Sequence, residues 1–395
     1  MPEGGKLSRI ARLQNTLLEA GVEAAVLVLS RDVFYYAGTA QPVILLVTPA
    51  DYFLFVRRAL PFVLGETWLD HDRVIHPGDL REVRLKLDEL GIRRGRLGFE
   101  LDVIPATLYL RLVNIFSGFM LVNLTDRILE QRMVKDAEEI EKIRTACRIE
   151  AKGYYRVLEV LREGMTELEL AAEVEDAHRR AGHEGVFAMR NFDFYMSRGP
   201  LSSGENLFRV SGFANTITGV GLSPAVPAGP SLRQIKKGDT VIIDIPTCYQ
   251  GYHCDETRTF VLGKASPEVR SLYSALREIS DRAAATLKAG CRAKEVFNAA
   301  LSCAGKLGVA DYYLGLPPNR ASFIGHGIGL ELNEPPVLFA NTNFELAENM
   351  VTTIEIHLTH PRYGVVKLED TVLVTPGGCE FLSVTPRELQ EVRGF

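Results

Sequence analysis

The stretch VIIDIPTCYQGYHCDETRTFVLG, residues 241–263, constrains this chain more than any other. Val241, Ile242, Ile243 and Ile245 before Gln250-Gly251, and Thr257, Thr259, Phe260, Val261 and Leu262 after it, are strand formers around a two-residue turn signal. The stretch reads as a hairpin, yet each strand carries an aspartate, Asp244 and Asp255, among apolar and β-branched neighbours. With Gln250 and Gly251 as the loop, position 249 faces 252 and 244 faces 257. Asp255 then shares a sheet face with Asp244, one diagonal step away, and such neighbours lie roughly 7 to 8 Å apart or less. Two ionised carboxylates that close in a low-dielectric setting repel, so one takes a proton or cations lie between them. A metal is the stronger reading; the alternative is a pair of surface aspartates on an edge ribbon.

Two further stretches pose the same problem. IGHGIGLELNEPP, residues 324–336, holds His326 between Gly325 and Gly327, where small neighbours permit close backbone approach. It is no dinucleotide loop, since neither the GxGxxG spacing nor a following helix is present. Taken alone, His326 reads as an ordinary core histidine. MVTTIEIHLTHPRYGVVKLEDTVLVT, residues 350–375, again places acids in strands: Glu355 after Val351 to Ile354, and Glu369 before Thr371 to Val374. Four carboxylates and one imidazole from three separated stretches then share one explanation. A single divalent ion cannot balance four negative charges, whereas two can. Oxygen-rich ligands with one histidine suit Mn²⁺, Co²⁺, Fe²⁺ or Zn²⁺. Two such ions about 3.5 to 4 Å apart activate water and polarise the carbonyl it attacks.

The rest of the chain frames these motifs. At 395 residues it exceeds the size at which one core stops growing, so two domains are expected. LSRIARLQNTLLEAG predicts an opening helix with Ser8 as its cap, Leu13, Leu17 and Leu18 on one face and Gly21 past its end. Strands and helices alternate to about residue 125, the pattern of an α/β domain. A long helix is predicted from Asp136, with Glu139 completing a capping box and Gly164 as its stop. Thr166 and Glu169 cap a second helix ending at Gly182, and Pro267 opens a third ending at Gly290. A helix over CRAKEVFNAALSCAGKLG follows. Helix pair followed by strands, twice, suggests two similar halves. Residues 186–240 are rich in Gly, Ser, Asn and Pro and read as functional loops.

Net charge is −5, and the one compact basic cluster, Arg93, Arg94 and Arg96, reads as a solvated turn, so no nucleic-acid partner is expected. The longest apolar runs, AAVLVL and PVILLV, are far short of a membrane span, and MPEGGKLSRIARLQ lacks a signal-peptide core. A cytoplasmic location is the expectation, and the six scattered cysteines fit reduced thiols. Alternation turns Cys254 away from Asp255, which makes it a structural residue.

The hairpin IDIPTCYQGYHCDETRTFVLG, the GHGIGL…NEPP segment, MVTTIE and VKLEDTVLVT, in that order and spacing, resemble the pita-bread metallopeptidase family of prolidases, proline-specific and methionine aminopeptidases and creatinase. The likeness covers roughly residues 130–376, with a looser one (YYAGTA, RLGFE) in the N-terminal part. It implies a creatinase/prolidase-like α/β domain over 1–130 and an α+β pita-bread catalytic domain over 131–395 with two pseudo-twofold halves. It further implies two divalent ions (Mn, Co, Zn or Fe) held by Asp244, Asp255, His326, Glu355 and Glu369, with Asp255 and Glu369 bridging and Glu355 also a proton-transfer residue. The implied reaction is hydrolysis of a peptide or small-molecule C–N bond of Xaa-Pro dipeptidase or aminopeptidase type, by a homodimer. The chain departs from the pattern at three places. Asn333 stands where a pocket histidine is usual, LSPAVPAG around Pro227 offers no second one, and Lys367 replaces an arginine, keeping the charge and losing the fork. A long loop from Met196 to Pro230 is expected near the mouth of the site. Hydrolysis of a non-peptide amide, and a non-catalytic peptide-binding module, are the competing readings.

Overall fold

The apolar periodicities resolve into two units, Met1–Arg132 and Met133–Phe395, in a computed structural model that describes residues 6–194, 198–212 and 216–394. In the first unit, α1 (Leu7–Ala20) buries Ile10, Leu13 and Leu17 and ends at Gly21 in the left-handed region, φ 60°. Two expectations fail there. Ser8 lies inside the first turn behind Lys6 and caps nothing, and Leu18 is exposed at 62 %, one position off the buried stripe. The unit continues as β1 (Ala24–Leu27), α2 (Ser30–Ala37), β2 (Val43–Val47), β3 (Tyr52–Val56), α3 (Leu60–Glu66), β4 (Val74–Ile75), α4 (Leu80–Glu89), β5 (Gly95–Phe99), α5 (Ala106–Ile115), β6 (Phe119–Asn123) and α6 (Thr125–Met133). The strands form one mixed sheet in the order β4-β3-β2-β1-β5-β6, over a core of Val26, Leu46, Phe55, Leu97 and Phe99 against Val83, Leu87 and Phe116.

The second unit opens with α7 (Ala137–Val160) and α8 (Glu167–Arg180), whose predicted capping boxes, Asp136/Glu139 and Thr166/Glu169, are both formed. Next come β7 (Leu201–Ser203), β8 (Thr240–Asp244), β9 (Thr247–Tyr249), β10 (Tyr252–Cys254) and β11 (Thr257–Leu262). Then α9 (Pro267–Thr286), capped by Ser266, and α10 (Ala293–Lys306) precede β12 (Phe323–Gly327), β13 (Glu334–Phe339), β14 (Val351–His360), β15 (Gly364–Thr375), β16 (Gly378–Phe381) and β17 (Gln390–Val392). Helices α7 and α9 end earlier than their glycine stops predict. Leu161 and Leu287 turn extended first, and the glycines follow three residues later, the same exit in each half.

The nine-stranded sheet runs β13-β12-β14-β15-β11-β8-β7, with β16 beside β15 and β17 beside β11. Hairpin register is as the sequence predicts, Tyr249 opposite Tyr252 and Asp244 opposite Thr257. The single hairpin is nevertheless divided. Pro246 has no N–H to give the ladder, and β9–β10 form a separate two-stranded sheet. Helices cover one sheet face: α7 and α8 pack Val157, Leu170 and Val174 on Val241, Ile243 and Phe260, while α9 and α10 pack Leu276, Ile279 and Val296 on Ile354, Ile356 and Leu368. Strand alternation therefore sends residues 242, 244, 257, 355, 367 and 369 to the other face. The two halves meet between β11 and β15, where backbone pairing is confined to Thr257 opposite Glu369. Side chains supply the rest of that seam. Thr259 Oγ1 donates to Lys367 O at 2.7 Å and Arg258 Nη1 to Glu369 O at 2.6 Å. No helix among the described residues is long and apolar enough to cross a membrane.

Candidate metal centre

Three of the four predicted acids stand in one row across the sheet. Asp244 faces Thr257, Thr257 faces Glu369, and Glu369 faces Glu355. Directly opposed side chains have Cβ atoms about 4.5 to 5.5 Å apart, so the strand pairing itself crowds three carboxylates together. Asp255, two residues before Thr257, joins them at the unpaired corner left by Pro246, its backbone N–H donating to Thr371 Oγ1 at 3.2 Å. His326 reaches the same spot from β12. A Cβ at Gly325 would lie 2.0 Å from Thr353 O, and one at Gly327 2.2 Å from Pro335 O, so the flanking glycines permit the close approach that the sequence suggests. All five predicted residues are brought together, each at most 7 % exposed. Their ligand atoms form two clusters within 4.8 Å, Asp255–His326–Glu369 and Asp244–Glu355–Glu369.

The clusters differ in what neutralises them. In the first, His326 Nδ1 lies 3.1 Å from Gly327 O. A carbonyl only accepts, so Nδ1 carries the proton, and the Nε2 lone pair faces Asp255 Oδ2 at 3.6 Å and Glu369 Oε1 at 3.9 Å. Asp255 Oδ1 and Glu369 Oε1 are buried without a hydrogen-bond partner among the described residues. Burial, then the mutual repulsion of neighbouring acids, pushes both carboxyls well above the usual range, and burial keeps the His326 imidazole neutral by lowering its pKa. Orphaned oxygens and a bare imidazole nitrogen converging on one point are the donor set of a divalent cation. The second cluster contains a cation already. Lys367 Nζ lies 2.5 Å from Asp244 Oδ2, 2.6 Å from Glu355 Oε1 and 3.7 Å from Glu369 Oε2. Burial works to raise the Glu355 carboxyl, but the Lys367 ammonium and a hydrogen bond from Thr216 hold it down at about 2. Asp244 stays raised, because burial and the Glu355 charge outweigh its contact with Lys367.

A cavity of about 120 Å³ opens above the acids, with Met189, Phe194, Phe323 and Leu332 as apolar wall and Asn191 and Asn333 as polar ones. Asn333 thus sits where the sequence places it, and His326 is the one histidine of the lining among the described residues. The long loop does reach the site, through Pro200 and through Thr216, whose Oγ1 donates to Glu355 Oε1 at 2.8 Å. Pro227 does not line the cavity, and Met196 lies outside the described residues. Sequence reading missed Thr216 and Thr257, which donates to Glu369 Oε2 at 2.9 Å. Thr216 carries no periodic signal; Thr257 had one, its place in the row.

It also passed over two neighbouring acids, Glu256 and Asp370. Alternation turns them from Asp255 and Glu369 to the helix-covered face, where Arg258 Nη2 lies 3.1 Å from Glu256 and 2.7 Å from Asp370, and Arg387 Nε 2.7 Å from Asp370. Those acids are neutralised by guanidinium groups and are not available to a metal. Cys254 faces away from Asp255, buried against Cys147, and no disulfide is formed.

Residues 141–376 match metallopeptidase family M24, and residues 9–134 match the creatinase/prolidase N-terminal domain. The chain belongs to family M24. It is 34 % identical over 265 residues to a Xaa-Pro dipeptidase of Pyrococcus furiosus, covering 67 % of each chain. Its fold is that of an X-Pro aminopeptidase from Thermotoga maritima (TM-score 0.79, 25 % identity, 97 % of this chain and 99 % of that one). A prolidase from Pyrococcus horikoshii matches it equally (TM-score 0.79, 25 % identity, 97 % and 99 %). M24 enzymes are hydrolases with a dinuclear divalent metal centre, and the two clusters here have the donors for one.

Proposed function

We propose that this chain is a dinuclear-metal peptidase of Xaa-Pro dipeptidase or aminopeptidase type, with Asp244, Asp255, His326, Glu355 and Glu369 as ligands. The observation that carries the reading is the convergence of orphaned Asp255 and Glu369 oxygens with the bare Nε2 of His326 beneath a small, largely apolar cavity. Bound divalent ions supply Lewis acidity, lowering the pKa of water and polarising the scissile carbonyl. The chain supplies the remainder. Phe194, Phe323 and Leu332 offer a dry wall for a pyrrolidine or other small apolar ring, Asn333 offers an amide to the substrate, and Glu355 receives the proton of the attacking water. Relatives named Xaa-Pro dipeptidase and prolidase support the peptide assignment.

A second reading, hydrolysis of a non-peptide amide, is favoured by Asn333, which can hydrogen-bond a substrate but has no proton to give it. Stripping the protein with a chelator, reloading it with Mn²⁺ or Co²⁺ and assaying Xaa-Pro dipeptides, longer Xaa-Pro peptides and small amides tests both. Hydrolysis restricted to the reloaded protein is expected. No turnover of any substrate with metal demonstrably bound would make the chain a binding module instead. A homodimer in the cytoplasm completes the reading.

A further inference from the structure

Glu369 gives one oxygen to each half of the centre, and the two oxygens meet different surroundings. Oε1, toward His326, has no partner, whereas Oε2 accepts from Thr257 and lies 3.7 Å from the Lys367 ammonium. We propose that Lys367 is a built-in cation that fills the Asp244–Glu355 position of the metal-free centre. One divalent ion then enters the Asp255–His326–Glu369 position freely, and the second enters only by displacing the ammonium. The inference rests on the ligand set proposed above.

Position and charge both support it. Lys367 lies on β15 two residues before Glu369 and faces the same side, and its cross-strand partner is His357, two residues past Glu355. The stem therefore runs along the row toward the acids, and the ammonium, fully buried, ends between Asp244 and Glu355 at hydrogen-bond distance from both. Among the described residues, the acids of the centre are its ion-pair partners; Thr259 bonds only its backbone N–H and C=O. An ammonium is a compact point charge, a fair substitute for a metal ion between carboxylate oxygens. Among the described residues, neither Asp244 nor Glu355 has a fully buried oxygen without a partner, in contrast to Asp255 and Glu369.

Titration of the metal-free protein with Mn²⁺, followed by calorimetry and by electron paramagnetic resonance, tests this without reference to turnover. The wild type is expected to bind one ion tightly, with a mononuclear spectrum at one equivalent, and a second at least about 100-fold more weakly, since two charge-assisted hydrogen bonds must be broken. In Lys367→Met, similar in length but uncharged, the gap is expected to shrink to about tenfold or less. His326→Ala, which keeps the lysine and removes the open position, is expected to bind no ion tightly. Two ions of affinity within tenfold in the wild type, or an unchanged gap in Lys367→Met, overturns the inference and leaves the ligand assignment standing; tight binding by His326→Ala overturns both. No Mn²⁺ binding by the wild type at any concentration overturns both. A wild type that binds two ions within tenfold of each other overturns the inference even if Lys367→Met fails to fold.

Discussion

The carboxylates of the centre differ in their neighbours, Lys367 being shared by Asp244, Glu355 and Glu369, and the consequences of removing each differ accordingly. Glu355→Gln keeps the side-chain shape and an acceptor for Thr216 Oγ1 while removing a charge beside Lys367. Turnover is expected to fall about 10² to 10⁴-fold, as for loss of a proton-transfer group, with the circular dichroism spectrum unchanged; activity within fivefold of wild type would remove Glu355 from the chemistry. Asn333→His restores an imidazole to the cavity wall. We expect the wild type to cleave Ala-Pro with kcat/KM below about 10⁴ M⁻¹s⁻¹ and the variant to improve on it by about tenfold or more, a steady-state comparison that a fast wild type would refute. The four acids of the proposed centre were legible because a buried acid in a strand demands a counter-charge, whereas His326, which alone reads as a core histidine, was legible only through the family resemblance. Lys367 was legible only as a retained charge. That its ammonium ends between Asp244 and Glu355 depends on the β14–β15 register, which no local pattern reports.

Among the elements, β15 carries charge on both faces and β11 presents Arg258 on the helix side, and the helix-side charges bear on stability. Arg258 is buried against Glu256 and Asp370 and also bonds the carbonyls of Thr257 and Glu369. Arg258→Met leaves two buried carboxylates short of their partner and is expected to cost about 3 to 5 kcal/mol in a denaturant titration; a loss below 1 kcal/mol would show that Arg387 alone suffices for Asp370. Capping boxes of α7 and α8 could be read from four residues each, since the hydrogen bonds involved are local. Helix ends were less legible. Glycine marks the turn that follows, while Leu161 and Leu287, which leave the helix first, are held by the cores they enter. The hairpin register was predicted correctly, but not its division at Pro246, whose missing N–H was present in the sequence as a signal.

At the scale of the whole molecule, association and pH response follow from features of the first unit. Edge strand β6 exposes Met120 (57 %), and α5 exposes Leu110 (62 %) with Val113. An apolar edge of that kind suits a partner copy, so light scattering is expected to give twice the 43.8 kDa chain mass, and Leu110→Glu with Met120→Glu to shift it to monomer. A wild type that stays monomeric at micromolar concentration refutes this. Glu100 is buried, and burial followed by the charge of Asp32 raises its carboxyl to about 8. The folded state then binds the proton more tightly than the unfolded one, so stability is greatest below about pH 4.5 as far as this group is concerned and is lost as pH rises toward 8. Glu100→Gln should flatten that slope in a melting series across pH 5 to 8; an unchanged slope would mean that other groups set it. Finally, the seam between the halves of the second unit has its backbone ladder reduced to one residue pair, with threonine, arginine and lysine groups in place of the missing rungs. The charge cluster thus lies across a join of the sheet with a single backbone pair, and filling it with cations would clasp the two half-sheets together. Amide hydrogen exchange at residues 257–259 and 367–369 should therefore slow markedly on metal loading, while the amides in the middle of β14, paired along its whole length with β15, keep the same protection with and without metal.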